Sequence, residues 1–143
     1  MTLKKTIPLL LAASLMGITA TASAGDFTIY HSSQHNIRIV NTARNGYTYQ
    51  SWNMPKHINE GQPDWQMTNG RLETIGINCT RNRCDMADAY IFEKGNTRFE
   101  IIQIDYISEG MPRIYRPNMP NGAVAELTVY LNGRQKQHYW LFD

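Results

Sequence analysis

Hydrophobic and polar residues alternate along most of the chain from residue 27 onward. This period of two is typical of β-strands, whereas an amphipathic helix would show a period of 3.6 residues. Residues 27–30 and 37–40 fit short strands on this pattern, and residues 47–52 add aromatic side chains at alternate positions. Aromatic and β-branched residues favour a pleated, half-buried surface, so these segments are predicted to be strands.

Turn sequences divide the later strands into hairpins. An Asn-Gly pair is the preferred two-residue hairpin turn, because both positions must tolerate positive φ. Asn69-Gly70 therefore predicts a hairpin between residues 64–68 and 71–78. Two further hairpins are predicted: 87–93 with 97–106 around Lys94-Gly95-Asn96, and 123–131 with 135–142 around Asn132-Gly133.

About eight strands joined mostly by hairpins predict an all-β fold, mainly an antiparallel meander that closes into a sandwich or a barrel. The segment from Cys84 to Tyr90 would also make one helical turn, so the prediction allows at most a short helix there. Segments 53–63 and 108–122 are interrupted by prolines and are predicted loops. The second is long enough to indicate a functional loop or a covering flap. Residues 25–143 are predicted to form a single β-rich domain.

Residues 1–24 have the three parts of a secretory signal peptide. Lys4 and Lys5 provide the basic start, an apolar run follows, and Ala22-Ser23-Ala24 is a small-residue cleavage site. The apolar run is shorter than the roughly 20 residues that span a bilayer, and no later segment reaches that length, so no membrane span is predicted. The compact signal is typical of bacteria, and the mature protein is expected in the periplasm or outside the cell.

Removal of this signal changes the charge of the protein. Lys4 and Lys5 leave with it, so 12 of the 14 basic residues remain against 12 acidic ones, and the net charge becomes zero. A nucleic-acid-binding protein is expected to keep a basic domain or a basic stripe, whereas here charges of both signs alternate along the chain. No nucleic acid is therefore predicted as a partner.

The chain contains two cysteines, Cys79 and Cys84, on either side of a polar segment. In an exported protein such a pair most often forms a disulfide. The spacing differs from the C-x-x-C redox motif and supplies half of a four-cysteine zinc site. The closed loop would present Arg81, Asn82 and Arg83 to solvent. It would serve either as a strand connection stapled for stability or as a rigid recognition loop.

The segment from Cys79 to Cys84 resembles the short disulfide-closed loop that bacterial inhibitors of vertebrate-type lysozyme insert into the enzyme cleft. The resemblance covers these six residues and does not extend to the rest of the chain. The loop also lacks the histidine that those inhibitors insert. The chain is therefore not assigned to that family.

Two other surface segments carry residue types that are enriched in protein interfaces. Trp52 lies where a predicted strand runs into a proline-broken loop, so its ring would either contact a partner or anchor the loop. The proline-rich loop 108–122 contributes Arg113, Tyr115 and Arg116 as candidate partner-binding residues.

No catalytic residue, cofactor or metal site is predicted. His31 and His35 are four residues apart, but the residues between them are typical of a loop, and no Asp, Glu or Cys lies at ligand spacing. The sequence lacks the G-x-S-x-G motif of a nucleophile elbow, and the two cysteines are expected to be paired. The protein is thus interpreted as a non-enzyme.

The leading hypothesis is an exported protein-binding protein, an inhibitor or immunity-type factor that acts on a lysozyme-like or other cell-wall-degrading enzyme. Arg81 or Arg83 would pair with a catalytic carboxylate in the acidic cleft of that enzyme. One alternative is a carbohydrate- or envelope-binding module that uses Trp52, Trp65 and exposed tyrosines. Another is a small secreted hydrolase or nuclease toxin that uses His31, His57 or His138. The sequence predicts no oligomeric state.

Overall fold

Eight antiparallel strands form a closed barrel in the computed structural model, which describes residues 26–42, 44, 46–105 and 114–143. In chain order the strands are β1 (Phe27–His31), β2 (His35–Asn41), β3 (Tyr47–Asn53), β4 (Trp65–Ile77), β5 (Asp85–Lys94), β6 (Thr97–Gln103), β7 (Ala123–Leu131) and β8 (Arg134–Phe142). Each strand pairs with the next, and Phe142 pairs with His31 to close the barrel.

This architecture confirms the all-β, single-domain prediction and decides between its two forms, because the sheet closes into a barrel and not into a sandwich. The described residues contain no helix, and the segment that could have formed one begins strand β5 at Asp85. The predicted signal peptide, residues 1–24, lies outside the described residues.

Two apolar clusters lie on opposite faces of the sheet. The larger takes side chains from every strand and fills the barrel interior, with Tyr49, Phe92 and Ile101 among its buried members. The smaller cluster joins β4, β5 and β6 on their outer face and packs against Ile114. Neighbours such as Ile101 and Ile102 belong to different clusters, because successive side chains of a strand point to opposite faces. The central strands β5 and β6 therefore make apolar contacts on both faces of the sheet.

The hairpin predicted at Asn69-Gly70 is wrong, because β4 runs through this pair as one strand. Tyr47 lies opposite Gly70, and Tyr49 lies opposite Met67, so β4 carries an extra residue at this point. Asn69 takes the positive φ of 59° that its type tolerates, and the strand bends at a bulge. Gly70 is required here, since a Cβ atom would lie 2.2 Å from Cε1 of the Phe92 ring.

The hairpin at Asn132-Gly133 is confirmed. Leu131 pairs with Arg134, and the two turn residues have φ values of 53° and 78°, as a type I′ turn requires. The β5–β6 connection is also a two-residue turn, Gly95-Asn96, because Lys94 pairs with Thr97. We call this end of the barrel the hairpin end.

The opposite end carries two connections of another kind, β4–β5 with the two cysteines and β6–β7, which spans residues 104–122. Antiparallel pairing brings both to the same end, because Ile77 pairs with Asp85 and Gln103 pairs with Ala125. We call it the disulfide end.

Candidate functional site

The predicted disulfide between Cys79 and Cys84 is present and closes the β4–β5 connection. Within the ring, the Thr80 backbone N–H donates to the Arg83 carbonyl at 2.8 Å, and the Thr80 hydroxyl donates to the same oxygen at 3.2 Å. Gly76 lies beside the disulfide, where a Cβ atom would come within 3.1 Å of the Cys84 Cβ and Sγ atoms. The loop is therefore held by a covalent bond, a backbone turn and close packing.

Arg81, Asn82 and Arg83 are all exposed on this loop, as predicted. Neither arginine forms an ion pair with any residue that the structure describes. Their guanidinium groups are thus available to a carboxylate of another molecule, to which arginine can donate two parallel hydrogen bonds.

Asn78 joins the disulfide loop to the loop between β6 and β7. Its Nδ2 atom donates to the Tyr115 carbonyl at 2.6 Å and to Oδ2 of Asp85 at 3.0 Å. Its Oδ1 atom accepts a hydrogen bond of 2.8 Å from Nη1 of Arg116. Asn78 has a φ of 51°, a left-handed conformation that asparagine tolerates better than most residues. One side chain therefore holds two loops together.

Arg116 continues this network into the protein. Its Nε atom donates to Oε2 of Glu126 at 2.5 Å, and Nη2 donates to Oε1 at 3.3 Å. Glu126 lies on the outer face of β7 with 3% of its side chain exposed, and its Oε1 is also 2.9 Å from Nε2 of His138. A buried carboxylate needs such partners. Arg116 was predicted to contact a partner, but its guanidinium is committed to Glu126 and Asn78, so the residue positions the loop.

Tyr115, the neighbour of Arg116, is 72% exposed. Its backbone is held by Asn78 while its side chain remains accessible. We define the loop-tip surface as Arg81, Asn82, Arg83 and Tyr115. The structure thus brings together two predicted segments that are separated by more than 30 residues in the sequence.

The other predicted partner-binding residues do not join this surface. Trp52 is 1% exposed, and its Nε1 atom donates to the Gly61 carbonyl at 3.1 Å, so the ring anchors the β3–β4 loop to the barrel. The guanidinium carbon of Arg38 lies 5.3 Å from the centre of the same ring. The structure therefore gives Trp52 the second of its two expected roles. Arg113 lies outside the described residues.

Trp65 has neighbours on its ring as well. Lys94 Nζ lies 4.7 Å from the ring centre, and Phe99 stacks on the ring with centroids 6.3 Å apart. Of the two aromatic platforms expected for a sugar-binding module, Trp52 is thus buried, whereas Trp65 is partly covered and remains 38% exposed.

The histidines considered for catalysis lie on separate elements. His31 ends β1 and contacts Asn36 through Nδ1 at 2.6 Å, His57 lies in the β3–β4 loop, and His138 contacts Glu126 on the outer wall. Among the described residues, no group of three or more His, Cys, Asp or Glu side chains could hold a metal ion.

Sequence reasoning missed Asn78 and Glu126, which hold the loop-tip surface in place. Asn78 offered one signal, since an asparagine at the end of a strand often takes positive φ. Glu126 offered another, because it is the charged residue within the otherwise uncharged strand Ala123–Leu131. Neither signal identifies the residue that each side chain contacts, because Arg116 and Asn78, which are hydrogen-bonded, are 38 residues apart in the sequence.

No family model matches this chain, and no curated protein or solved structure is significantly similar to it. In the part of the chain that the structure describes, no helix combines the length and apolar character needed to cross a membrane.

Proposed function

We propose that this protein is an exported protein-binding protein whose loop-tip surface docks on an acidic site of a cell-wall-degrading enzyme, as an inhibitor or immunity-type factor. The observation that carries the proposal is the pair of exposed arginines, free of ion pairs among the described residues, on a loop closed by Cys79 and Cys84.

The loop-tip surface is preorganised for binding. Thr80 and the disulfide fix the ring, and Asn78 joins its base to the backbone of Tyr115. A loop that is already ordered loses less conformational entropy when it docks, which favours affinity. Tyrosine and arginine are also the residue types that most often dominate binding energy at protein interfaces.

The charge of the surface suits an enzyme that works with carboxylates. Cell-wall hydrolases of the lysozyme kind cleave glycosidic bonds with a pair of Asp or Glu residues. Arg81 or Arg83 would form charge-assisted hydrogen bonds with one of these carboxylates while the ring blocks the cleft. Such enzymes act outside the cytoplasm, and the disulfide is compatible with that oxidising environment.

The two alternatives from the sequence receive less support. The sugar-binding module loses one of its expected platforms, since Trp52 is buried, and the Trp65 ring, 38% exposed, is partly covered by Lys94 and Phe99. The hydrolase would need an acid and a base around one substrate, but the carboxylate found beside the ring of one of these histidines among the described residues, Glu126 at His138, is already held by Arg116. The protein-binding function therefore stands first.

The test is capture of partner proteins from periplasmic and secreted fractions with the exported protein, its disulfide intact. A captured protein is then purified and its lytic activity measured on isolated peptidoglycan. The variant Arg81→Ala/Arg83→Ala is compared with wild type. Loss of a hot-spot arginine costs about 2 kcal/mol, so we expect inhibition to weaken roughly 30-fold or more.

Arg134→Ala/Lys136→Ala is the matched control. It removes the same two positive charges from exposed positions at the start of β8, at the hairpin end of the barrel. This variant should inhibit as wild type does. If the fractions yield no cell-wall hydrolase, or if both double variants inhibit equally well, the proposed function is wrong.

A further inference from the structure

A groove with two joined depressions runs along the outer wall formed by β6, β7 and β8. The first has a volume of about 390 Å³ and is lined by Arg116, Asn118, Glu126, Gln135, His138 and Trp140, among others. The second has a volume of about 680 Å³ and includes Asn96, Arg98 and Glu100. Tyr130 lines both, so the two depressions adjoin at this residue.

The shape of this groove suits a chain-like ligand. Glu126 and Tyr130 are four residues apart on the same face of β7, which is about 13 Å along a strand. The groove extends beyond both, from Asn118 in the β6–β7 loop to the Gly95-Asn96 turn at the hairpin end. A compact small molecule would occupy one depression, whereas an extended molecule could contact both.

The arginines and carboxylates along the groove are engaged in ion pairs. Arg116 pairs with Glu126, and Arg98 pairs with Glu100 at 2.8 Å and with Glu93 at 3.0 Å. No excess of arginine or lysine remains to attract a polyanion, and the carboxylates are already bound to cations. The groove therefore favours a ligand without net charge.

The remaining side chains combine aromatic rings with planar hydrogen-bonding groups. Trp140 and Tyr130 provide the rings, and Asn118 and Gln135 provide amides that both donate and accept hydrogen bonds. Burial raises the pKa of Tyr130, and the nearby Glu100 adds to this effect, so the phenol keeps its proton and can donate. A molecule that carries both hydroxyl groups and apolar C–H faces suits this lining, because its hydroxyls can hydrogen-bond to the amides and its C–H faces can stack on the rings.

From this geometry we infer that the outer-wall groove binds a neutral oligosaccharide chain, with Trp140 and Tyr130 as stacking platforms and Gln135 and Asn118 as hydrogen-bonding residues. This site is distinct from the loop-tip surface. It also differs from the sugar-binding site that the sequence suggested, because neither Trp52 nor Trp65 lines it.

The test is isothermal titration of the intact protein with three uncharged hexasaccharides: cellohexaose, chitohexaose and maltohexaose. We expect at least one to bind at millimolar concentration or below. Tyr130→Ala, Trp140→Ala and Gln135→Ala should each weaken that binding by about tenfold, since loss of one aromatic or hydrogen-bonding contact costs about 1 kcal/mol or slightly more. Gln135 is exposed, so its substitution tests the groove without disturbing the core.

Phe27→Ala, which removes an aromatic ring that is 46% exposed and lines neither depression, is the control and should bind as wild type does. The inference is overturned if none of the three hexasaccharides binds or if the groove variants bind as tightly as wild type. Arg81→Ala/Arg83→Ala should keep its glycan affinity, so this result and that of the inhibition assay can be told apart.

Discussion

The two ends of the barrel are stabilised by different interactions. At the disulfide end, the connections are held by side chains that reach across the fold: the Cys79–Cys84 bond, the Asn78 amide, and Arg116 on the buried Glu126. At the hairpin end, two-residue turns rely on backbone pairing, and the ion pairs of Glu93 with Arg71 and Arg98 lie on the exposed surface.

This difference indicates where single substitutions should affect stability most. Removal of a partner from a buried polar network leaves other buried groups unsatisfied, whereas an exposed ion pair exchanges its partner for water. The polar network at the disulfide end should therefore be sensitive to single substitutions, whereas the two-residue turns and surface ion pairs at the hairpin end should tolerate them. The polar network at the disulfide end also holds in place the two loops that carry the loop-tip surface.

The largest expected effect is that of Glu126→Ala. The substitution removes the carboxylate shared by Arg116 and His138, and loss of one partner from a buried ion pair costs about 3 kcal/mol. Urea unfolding of wild type and variant measures this loss. The matched control is Glu93→Ala, which also removes a carboxylate shared by two cations, but on the exposed surface, and should cost below about 1 kcal/mol. Equal losses would contradict the contrast between the two ends.

The second prediction concerns the disulfide itself. Replacement of both cysteines by serine should lower the free energy of unfolding by about 2 kcal/mol, since the ring is short. Binding to the partner enzyme should weaken as well, because Arg81 and Arg83 would lose their ordered loop. The measurements are urea unfolding and inhibition of peptidoglycan lysis. A variant that loses stability but inhibits like wild type would show that the ring acts as a staple and not as a recognition loop.

A smaller effect is expected for Gly133→Ala in the β7–β8 turn. No atom lies within 4 Å of the position of the new Cβ, so the cost of about 1 kcal/mol arises from the backbone alone, at a φ of 78°. Thermal unfolding measures it, with Gly95→Ala in the β5–β6 turn as the companion variant, since its φ is 62° and its surroundings are equally open. A loss of several kcal/mol at either site would mean that the hairpin end depends on contacts beyond backbone pairing.

The smallest effect concerns pH and His35, the first residue of β2 at the hairpin end. Burial lowers the pKa of this imidazole, and the nearby Asp64 carboxylate partly offsets the shift. The folded protein thus binds the proton more weakly than the unfolded chain, whose histidines titrate near pH 6.5. The resulting stability is fully present above about pH 6.5 and is lost as the pH falls through the lower pKa of the folded state.

We expect wild type to lose less than about 1 kcal/mol between about pH 7.5 and pH 5.5, and His35→Gln to lose less than wild type over the same range. Urea unfolding at both pH values measures the difference. The carboxyl groups of Glu93 and Asp64 have lowered pKa values, because cationic partners donate hydrogen bonds to them. Their protonation therefore affects stability only at lower pH. The same slope in wild type and His35→Gln would assign the acid sensitivity to other groups.

The two Asn-Gly pairs show how far local sequence carries a fold prediction. Asn132-Gly133 forms the predicted turn, whereas Asn69-Gly70 forms a bulge inside β4. Both asparagines take positive φ, so the local preference is obeyed in each case. Gly70 differs because the Phe92 ring packs where its side chain would be, in the interior cluster that spans all eight strands. The Asn-Gly pair therefore gave a correct turn prediction only at the site where no tertiary contact opposes the turn.

The candidate site likewise has features that local sequence predicts and features that depend on tertiary contacts. The cysteine pairing and the exposure of Arg81, Asn82 and Arg83 could be predicted, because the two cysteines are close in sequence and the residues between them are polar. The role of Arg116 could not be predicted from the chain, and the sequence left two roles open for Trp52, since both roles depend on what lies beside these residues in the fold. Arg116 meets Glu126, and Trp52 meets Gly61.

Alternation, turn residues and cysteine spacing act over a few neighbouring residues, so the all-β class, most of the strand segments and the covalently closed loop could be predicted from the chain alone. Only the folded structure shows that the sheet closes through Phe142 and His31, that Asn78 links the two loops, and that two adjoining depressions follow β6 to β8. These features arise where residues distant in the chain are brought into contact, and strand register, which depends on packing across the whole barrel, is what places them there.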